Sequence, residues 1–457
     1  MNREIPKRFS ILHAFYNRGA AVQHWFAQRI RPAGAACLMV VCFAAFMSIG
    51  QPKDSIFQVF CFSLGLLTLG FCWVLFRSAK LRATHRLPNH ATVGEPVNYS
   101  IMLENAGTRK IRSILLTQIP PDPRPSSIEF SVLKEPGEDA RNIFDRTMVY
   151  YRWQWLMSRK KGFTANESSR IDELGRGETL RLPMTLVPHR RGVIAMDRLR
   201  ALLPDPLGFF QKCRHVEATP GRLVVLPKRY RLPRISMPGE AAFHIGGEET
   251  GNATGSAGEF IGLRDYRPGD PLRQIHWKSW AHTGRPVVKE LEDTFYPRYA
   301  LVLDTFIGSP DENVFEEMVS VAASFVTGLD RSESLLDLMF IADKAHTVTS
   351  GRGMGKAETL LEVLAGVKID GEDRFDTLSR TVASHRGHMT SCIVILNGWD
   401  SKRAEFIQSL LKAGIICVPF AVGHGERPPG FAGHWLESGE IERDLLRLPP
   451  RFSAATI

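Results

Sequence analysis

The chain has 457 residues, 44% of them apolar and 23% charged, which is ordinary for folded domains, and its mean hydropathy of −0.12 excludes a protein made mainly of membrane spans. The net charge of +10 is uneven, because residues 299–457 carry 22 acidic residues against 15 basic ones. Such a division argues against one uniform nucleic-acid-binding surface, so no nucleic-acid partner is expected.

Two uncharged apolar runs follow a basic leader of residues 1–32. The runs cover residues 33–52 and 55–76, and each is long enough to cross a hydrocarbon core of about 30 Å as a helix. We therefore predict a transmembrane helical hairpin over residues 33–76. The leader mixes aromatic and basic residues, which fits either a helix lying on the membrane surface or a disordered segment.

Basic residues flank the two runs on the same side. Six Lys and Arg residues precede the first run, and Arg77, Lys80, Arg82 and Arg86 follow the second, whereas the connecting turn carries only Lys53. Because cytoplasmic flanks are enriched in Lys and Arg, both termini and the soluble domains are expected in the cytoplasm. Membrane lipid is then a direct contact of the chain.

Residues 83–245 predict a β-rich, sandwich-like domain. Short alternating runs separated by Gly and Pro turns are typical of such a domain. Residues 135–172 break this pattern and predict an insertion, which holds Tyr150, Tyr151, Trp153 and Trp155. These aromatic residues fit base stacking, a membrane-interface anchor or ordinary packing, and the sequence leaves the three interpretations open.

Strands and helices alternate over residues 299–450. This alternation predicts an α/β domain with a largely parallel sheet covered by helices on both faces. The predicted strands are residues 299–304, 335–341, 391–396 and 415–422, and the predicted helices are residues 312–329, 357–367 and 404–411. Ligands of such sheets bind at the carboxyl ends of the strands, which makes Asp304 and residues 397–400 the polar rim to inspect.

The segment 259–298 joins the β-rich and α/β regions and carries a dense pattern of aromatic, basic and turn residues. Its pattern consists of Phe260, Leu263, Arg264, Tyr266, Gly269, Asp270, Arg273, Ile275, Trp277, Ser279 and Ala281. In this pattern the segment resembles the family called "domain of unknown function 58". The order of two apolar runs, a β-rich region and this motif is also similar to the family's layout. One departure is His282, where the family usually has Arg.

The resemblance implies a bacterial inner-membrane protein that often works with a MoxR-type AAA+ ATPase. It also implies that the C-terminal region is similar to a von Willebrand factor A-like domain, a fold that can hold a divalent cation through an Asp-x-Ser-x-Ser motif. Here Asp304 keeps the first position, but Phe306 and Gly308 replace the two serines. Hard cations need several oxygen ligands, so Asp304 is expected to be a degenerate metal position and a polar rim residue, with no metal or cofactor.

We therefore expect a non-enzymatic, membrane-anchored scaffold or adaptor in protein assembly or envelope maintenance. The fold class is a membrane-anchored α+β multidomain protein. In the motif segment, we expect Tyr266 and Trp277 to bury their rings, and Asp270 to pair with Arg264 and Arg273 around the turn at residues 267–270. The alternative is a hydrolase whose site is formed by Asp270, His276 and Asp304.

Overall fold

The computed structural model describes residues 6–49, 55–165, 169–233, 235, 237–238, 259–292, 298–306, 312–329, 335–341, 345–350, 356–370 and 374–452. The chain divides into two compact units, Met1–Leu226 and Pro227–Ile457. The first unit ends at Leu226, whereas the β-rich domain was expected to reach residue 245. The glycine-rich stretch 245–258 lies outside the described residues.

Three helices open the first unit: α1 (Lys7–Ala27), α2 (Pro32–Met47) and α3 (Ser55–Phe76). Among the described residues, α3 is the helix that is long and apolar enough to cross a membrane. Its 22 residues correspond to about 33 Å, whereas the 16 residues of α2 correspond to about 24 Å. The first predicted span, residues 33–52, is thus a shorter helix than expected, and residues 50–54 lie outside the described part.

The remainder of the first unit consists mainly of β-sheet. Its strands are β1 (Leu81–Arg86), β2 (His90–Thr92), β3 (Val97–Asn105), β4 (Ile111–Gln118), β5 (Phe163–Ala165), β6 (Ser169–Leu174), β7 (Thr179–Pro188), β8 (Gly192–Met196), β9 (Leu199–Pro204), β10 (Gln211–His215), β11 (Glu217–Ala218) and β12 (Gly221–Leu226). In the described residues they form sheets ordered β11-β1-β3-β7-β5, β10-β9-β4-β6 and β2-β12-β8. Alternate residues such as Ile114 and Leu116 of β4 point into one core shared by these sheets.

A helical insertion separates β4 from β5 and consists of α4 (Ser127–Val132), α5 (Ile143–Met148) and α6 (Tyr150–Lys160). It begins earlier than the expected residue 135, because Ser126 caps α4 in a capping box with Glu129. It also ends earlier than residue 172, since β5 and β6 already belong to the sheets.

The insertion supports α1. Phe130 and Trp153 are buried, and their rings lie 6.4 Å and 5.8 Å from the ring of Tyr16 on α1. Tyr16 also donates a hydrogen bond of 2.8 Å to the carbonyl of Met148. The leader is therefore an ordered helix over residues 7–27. Of the three interpretations of the aromatic cluster, ordinary packing describes Trp153.

The second unit begins its described structure with a hairpin of β13 (Glu259–Asp265) and β14 (Val287–Glu292), with α7 (Trp277–Thr283) between them. The α/β part follows as β15 (Arg298–Leu303), α8 (Glu312–Leu329), β16 (Leu335–Ile341), β17 (Ala345–Ser350), α9 (Lys356–Gly366), α10 (Phe375–Ser384), β18 (Ser391–Asn397), α11 (Ser401–Lys412), β19 (Cys417–Gly423), β20 (His434–Glu437) and α12 (Ile441–Leu446).

The described α/β strands form one sheet in the order β17-β16-β15-β18-β19-β20, and its neighbours are parallel except for β16 and β17. On one face, Val302 and Val394 share a core with Leu378 of α10 and Leu410 of α11. The other face lies against α8, where the rings of Phe325 and Phe420 are 4.9 Å apart. The predicted mixed α/β fold with buried parallel strands is confirmed.

Candidate functional site

The sheet order places a topological switch point between β15 and β18. The chain leaves these two adjacent parallel strands in opposite directions, and in open α/β sheets ligands bind in the crevice that this creates at the carboxyl ends. Asp304 follows β15, and Asn397 ends β18. The rim expected from the sequence is therefore assembled at one place.

Arg403, from the first turn of α11, occupies the space next to Asp304. Its Nε donates to Oδ2 of Asp304 at 2.8 Å, and one terminal nitrogen donates to the carbonyl of Phe306 at 2.8 Å. The other terminal nitrogen contacts the carboxylate of Asp400, which also caps α11. The guanidinium thus connects the ends of β15 and α11.

Asp304 lies at this rim but is fully buried. Its two oxygens accept backbone hydrogen bonds from Phe306 at 2.9 Å and from Asn397 at 3.1 Å, in addition to the bond from Arg403. Burial raises the pKa of the Asp304 carboxyl above its usual value, and the Arg403 guanidinium and the two backbone donors act in the opposite direction.

The positively charged Arg403 guanidinium therefore occupies the position from which a metal ion could contact Asp304. Within the described residues, no cluster of three or more His, Cys, Asp or Glu side chains could hold a metal. The rim expected from the sequence ended at residue 400 and did not include Arg403. The available signal was an arginine three residues after the Asp400 cap, a spacing that returns the side chain to the same face of a helix.

The motif residues lie in the hairpin of the second unit. Arg264 on β13 and Asp270 form a bidentate pair with two bonds of 2.7 Å, and Asp270 also accepts the Arg267 N–H at 2.8 Å. Gly269 has φ of +107°, a backbone conformation that favours glycine in this turn. The expected Arg264–Asp270 pair is confirmed, whereas Arg273 is exposed and forms no pair in the described part of the chain.

Acid should weaken this hairpin. The Arg264 guanidinium lowers the pKa of Asp270 to about 2, below the usual carboxyl pKa of about 3.9 in an unfolded chain. The pair therefore contributes stability that is complete above about pH 4 and is lost as the pH falls towards about 2. We expect the melting-temperature difference between the wild type and Asp270→Asn to shrink over that range. The exposed Asp265→Asn change is the control, and a pH-independent difference for Asp270→Asn would contradict the assignment.

Trp277 is 63% exposed, so the expectation that its ring is buried is wrong. It stacks on Trp280, with ring centroids 5.2 Å apart. Tyr266 is half-buried, and its N–H donates to the carbonyl of Pro286 at 2.9 Å. The rings of Trp277 and Trp280 therefore form a stacked pair on the surface of α7 instead of a core.

Large apolar side chains are exposed together in this segment. In the described part of the second unit, those that are exposed are Phe260, Leu263, Leu272, Trp277 and Leu446. Four of these five lie within residues 259–290, where Arg267, Arg273 and Lys278 are exposed as well. Apolar and aromatic side chains accompanied by Arg are typical of protein-binding surfaces. We call residues 259–290 the docking segment.

The three residues of the hydrolase hypothesis each bind to other partners and not to one another. Asp270 is paired with Arg264, and Asp304 is buried against Arg403. His276 caps α7, where its Nδ1 lies 2.7 Å from Oγ of Ser279 and accepts the Ser279 N–H. No hydrogen bond joins any two of Asp270, His276 and Asp304 in the described structure.

No family model and no curated protein matches this chain. Among solved structures, the chain is similar to the CARDB domain of a Pyrococcus furiosus protein in complex with di-metal ions, at 12% identity over 33% of this chain and 96% of that domain, with a TM-score of 0.17. A solution structure of that CARDB domain gives 11% identity over 32% and 98%, with a TM-score of 0.15.

Proximal thread matrix protein 1 from the mussel byssus is also similar, at 16% identity with a TM-score of 0.22. The similarity covers 33% of this chain and spans 39% of the length of the mussel protein. Similarities with TM-scores this low carry no argument about function.

Proposed function

We propose that this chain is a membrane-anchored scaffold or adaptor that binds partner proteins through its docking segment. The observation that carries the proposal is the exposure of Phe260, Leu263, Leu272 and Trp277 in one segment, while the rest of the described second unit exposes one large apolar side chain, Leu446. Exposed aromatic anchors flanked by arginines are the usual energetic centres of protein interfaces.

The membrane anchor is α3 together with the shorter α2. The two helices expose many large apolar side chains, including Phe43, Phe46, Phe62, Phe71 and Trp73. Apolar side chains exposed in such number are stable in contact with lipid and unstable in contact with water. The distribution of flanking Lys and Arg residues supports an inner-membrane hairpin with both termini and the soluble units in the cytoplasm.

Two features support a scaffold over an enzyme. The switch-point crevice holds the Arg403–Asp304 pair, so the usual ligand position of such a sheet is filled by the chain itself. The docking segment, by contrast, is exposed. The sheet order also supports assigning residues 299–450 to a von Willebrand A-like domain in which a guanidinium takes the place of the cation.

The proposed partner is a MoxR-type AAA+ ATPase, as implied by the family that the motif resembles. Residues 299–457 carry more acidic than basic residues, which would steer a basic partner surface towards this unit. The docking segment supplies the apolar contacts, and the client would be a protein in assembly or envelope maintenance.

Trp277→Ala should weaken binding of the ATPase to the full-length chain in detergent by about 30-fold or more, as expected for an interface anchor. The melting temperature should change little, because the ring is largely exposed. Biolayer interferometry with the purified ATPase measures the first quantity, and differential scanning fluorimetry measures the second.

Leu446→Ala is the matched control, since Leu446 is 55% exposed but lies outside the docking segment. It should bind the ATPase as tightly as the wild type. Equal affinities for the Trp277→Ala and Leu446→Ala variants would remove the docking segment from the interface. If neither the wild type nor the variants bound the ATPase measurably, the choice of partner would be wrong.

A further inference from the structure

A cavity of about 650 Å³ lies at the end of α3 in the first unit. It is lined by Trp73 on α3, by β4 and by the loop that joins β9 to β10. Its cationic lining side chains are Arg31, Arg77, Lys110, Arg112 and Arg170, and its acidic lining side chain is Asp205.

Contacts to backbone carbonyls fix the walls of this cavity. The Arg77 guanidinium contacts the carbonyl of Pro204 on β9 and the carbonyl of Arg112 on β4. These contacts join the end of α3 to both strands. The Arg31 N–H donates to the carbonyl of Phe209 at 2.9 Å. Gly34 also approaches that carbonyl so closely that a Cβ there would lie 2.2 Å from it. The walls of the cavity are therefore fixed by contacts between α3, its flanking residues and the strands.

Its cations are not fully neutralised by the protein. Glu173 accepts from Lys110 at 2.9 Å and from Arg112 at 3.0 Å, and Asp172 accepts from Arg170 at 3.1 Å. The Arg31 guanidinium has no hydrogen bond or ion pair in the parts of the chain that the structure describes. At least one guanidinium in the cavity is therefore available for an anionic ligand.

Two further features of the wall indicate a ligand. Asp205 is 4% exposed, and its Oδ1 accepts the Phe210 N–H at 2.9 Å. Its Oδ2 has no hydrogen-bond partner in the described structure and lies against Gly70 of α3, where a Cβ would be 2.8 Å away. Ser113 has φ of +51°, a left-handed conformation that is unusual for a residue within a strand. Unpaired buried oxygens and strained residues concentrate at binding sites.

The position of the cavity beside α3 indicates which kind of anion it binds. Trp73, which lines the cavity, is 53% exposed, and Phe76, which ends α3, is 88% exposed. Aromatic side chains of this kind gather at the membrane–water interface, and basic pockets beside membrane helices bind lipid headgroups. The apolar side of α3 would accommodate acyl chains while the cavity holds the polar headgroup.

We propose that this cavity binds the headgroup of an anionic phospholipid, with its phosphate at Arg31 and Arg170. Phosphatidylglycerol carries such an anionic phosphodiester. The inference rests on the membrane placement of α3 proposed above. Phosphate binding by arginine consists of charge-assisted hydrogen bonds.

The test uses the full-length chain in detergent with short-chain phosphatidylglycerol as the probe, and microscale thermophoresis measures its affinity. Arg31→Gln and Arg170→Gln should each weaken binding by about tenfold, the usual effect of one charge-assisted hydrogen bond. Arg170 is 73% exposed, so that variant leaves folding intact. Arg181→Gln is the control, since Arg181 is exposed on β7 and does not line the cavity.

Short-chain phosphatidylcholine, which carries no net charge, should bind at least tenfold more weakly than phosphatidylglycerol. Equal binding of the two lipids, or an equal loss in Arg181→Gln, would overturn the proposal. Displacement of phosphatidylglycerol by an equal concentration of inorganic phosphate would assign the cavity to free phosphate and overturn the lipid assignment. Carbonate extraction of the wild-type protein from membranes tests the anchor separately, because binding in detergent does not require insertion.

Discussion

Replacing Arg403 with alanine should destabilise the second unit by about 3–5 kcal/mol, the usual cost of removing one partner from a buried ion pair. Asp304 would remain fully buried, with its charge opposed only by the backbone donors of Phe306 and Asn397. Arg403 also holds the carbonyl of Phe306, which would lose its donor. Hydrogen exchange of the β15 and β18 amides in the full-length chain measures this loss locally.

The loss in Arg403→Ala should be larger at pH 8 than at pH 5. Without the guanidinium, burial raises the pKa of Asp304 against only the two backbone donors, so the folded variant binds a proton more readily than the unfolded chain does. Stability then falls as the pH rises through that pKa, and acidification restores part of it. A loss that grows on acidification would contradict the assignment of the effect to Asp304.

Arg443→Ala provides the matched control for Arg403→Ala. Arg443 also pairs with several carboxylates, those of Glu437, Glu440 and Asp444, but its side chain is 41% exposed against 8% for Arg403. Exposed ion pairs contribute about 1 kcal/mol or less, so this variant should be close to the wild type. Similar losses in the two variants would show that burial is not the cause.

Trp153→Ala should destabilise the helical insertion by about 3–5 kcal/mol and release α1 from it. The Trp153 ring is 4% exposed and contacts the rings of His13, Tyr16 and Phe130 at 5.6–5.8 Å. Its loss leaves a cavity beneath α1, whose other side exposes Phe15 and other apolar residues. Hydrogen exchange should become markedly faster in α1 and α6 and remain unchanged in the β-sheets.

Phe144→Ala is the control for Trp153→Ala, since Phe144 belongs to the same insertion but is 71% exposed. It should change neither the exchange of α1 nor the stability of the insertion by more than about 0.5 kcal/mol. Protection of α1 that survives Trp153→Ala would mean that the insertion does not hold the helix in place.

The local patterns of the chain predicted many of its elements. Uninterrupted apolar residues in β15 and β18 predict strands buried on both faces, and the apolar residues of α8 recur at helical spacing, so both kinds of element were found. The Arg264–Asp270 pair was also predictable, because six residues and a Pro-Gly turn bring the two side chains together. The length of α2 was not, because apolar composition does not determine where a helix ends.

The sequence by itself therefore determined the order of the regions, the apolar helices and the Arg264–Asp270 turn, since each depends on residues close together in the chain. Only the tertiary structure decided that Asp304 is buried against Arg403, 99 residues away, and that Trp277 is exposed. A side chain's burial and its partner depend on which elements pack beside it, and residue type alone does not specify that packing. The cavity at the end of α3 likewise exists only because Arg31, Arg77 and Arg112 meet across three elements of the fold.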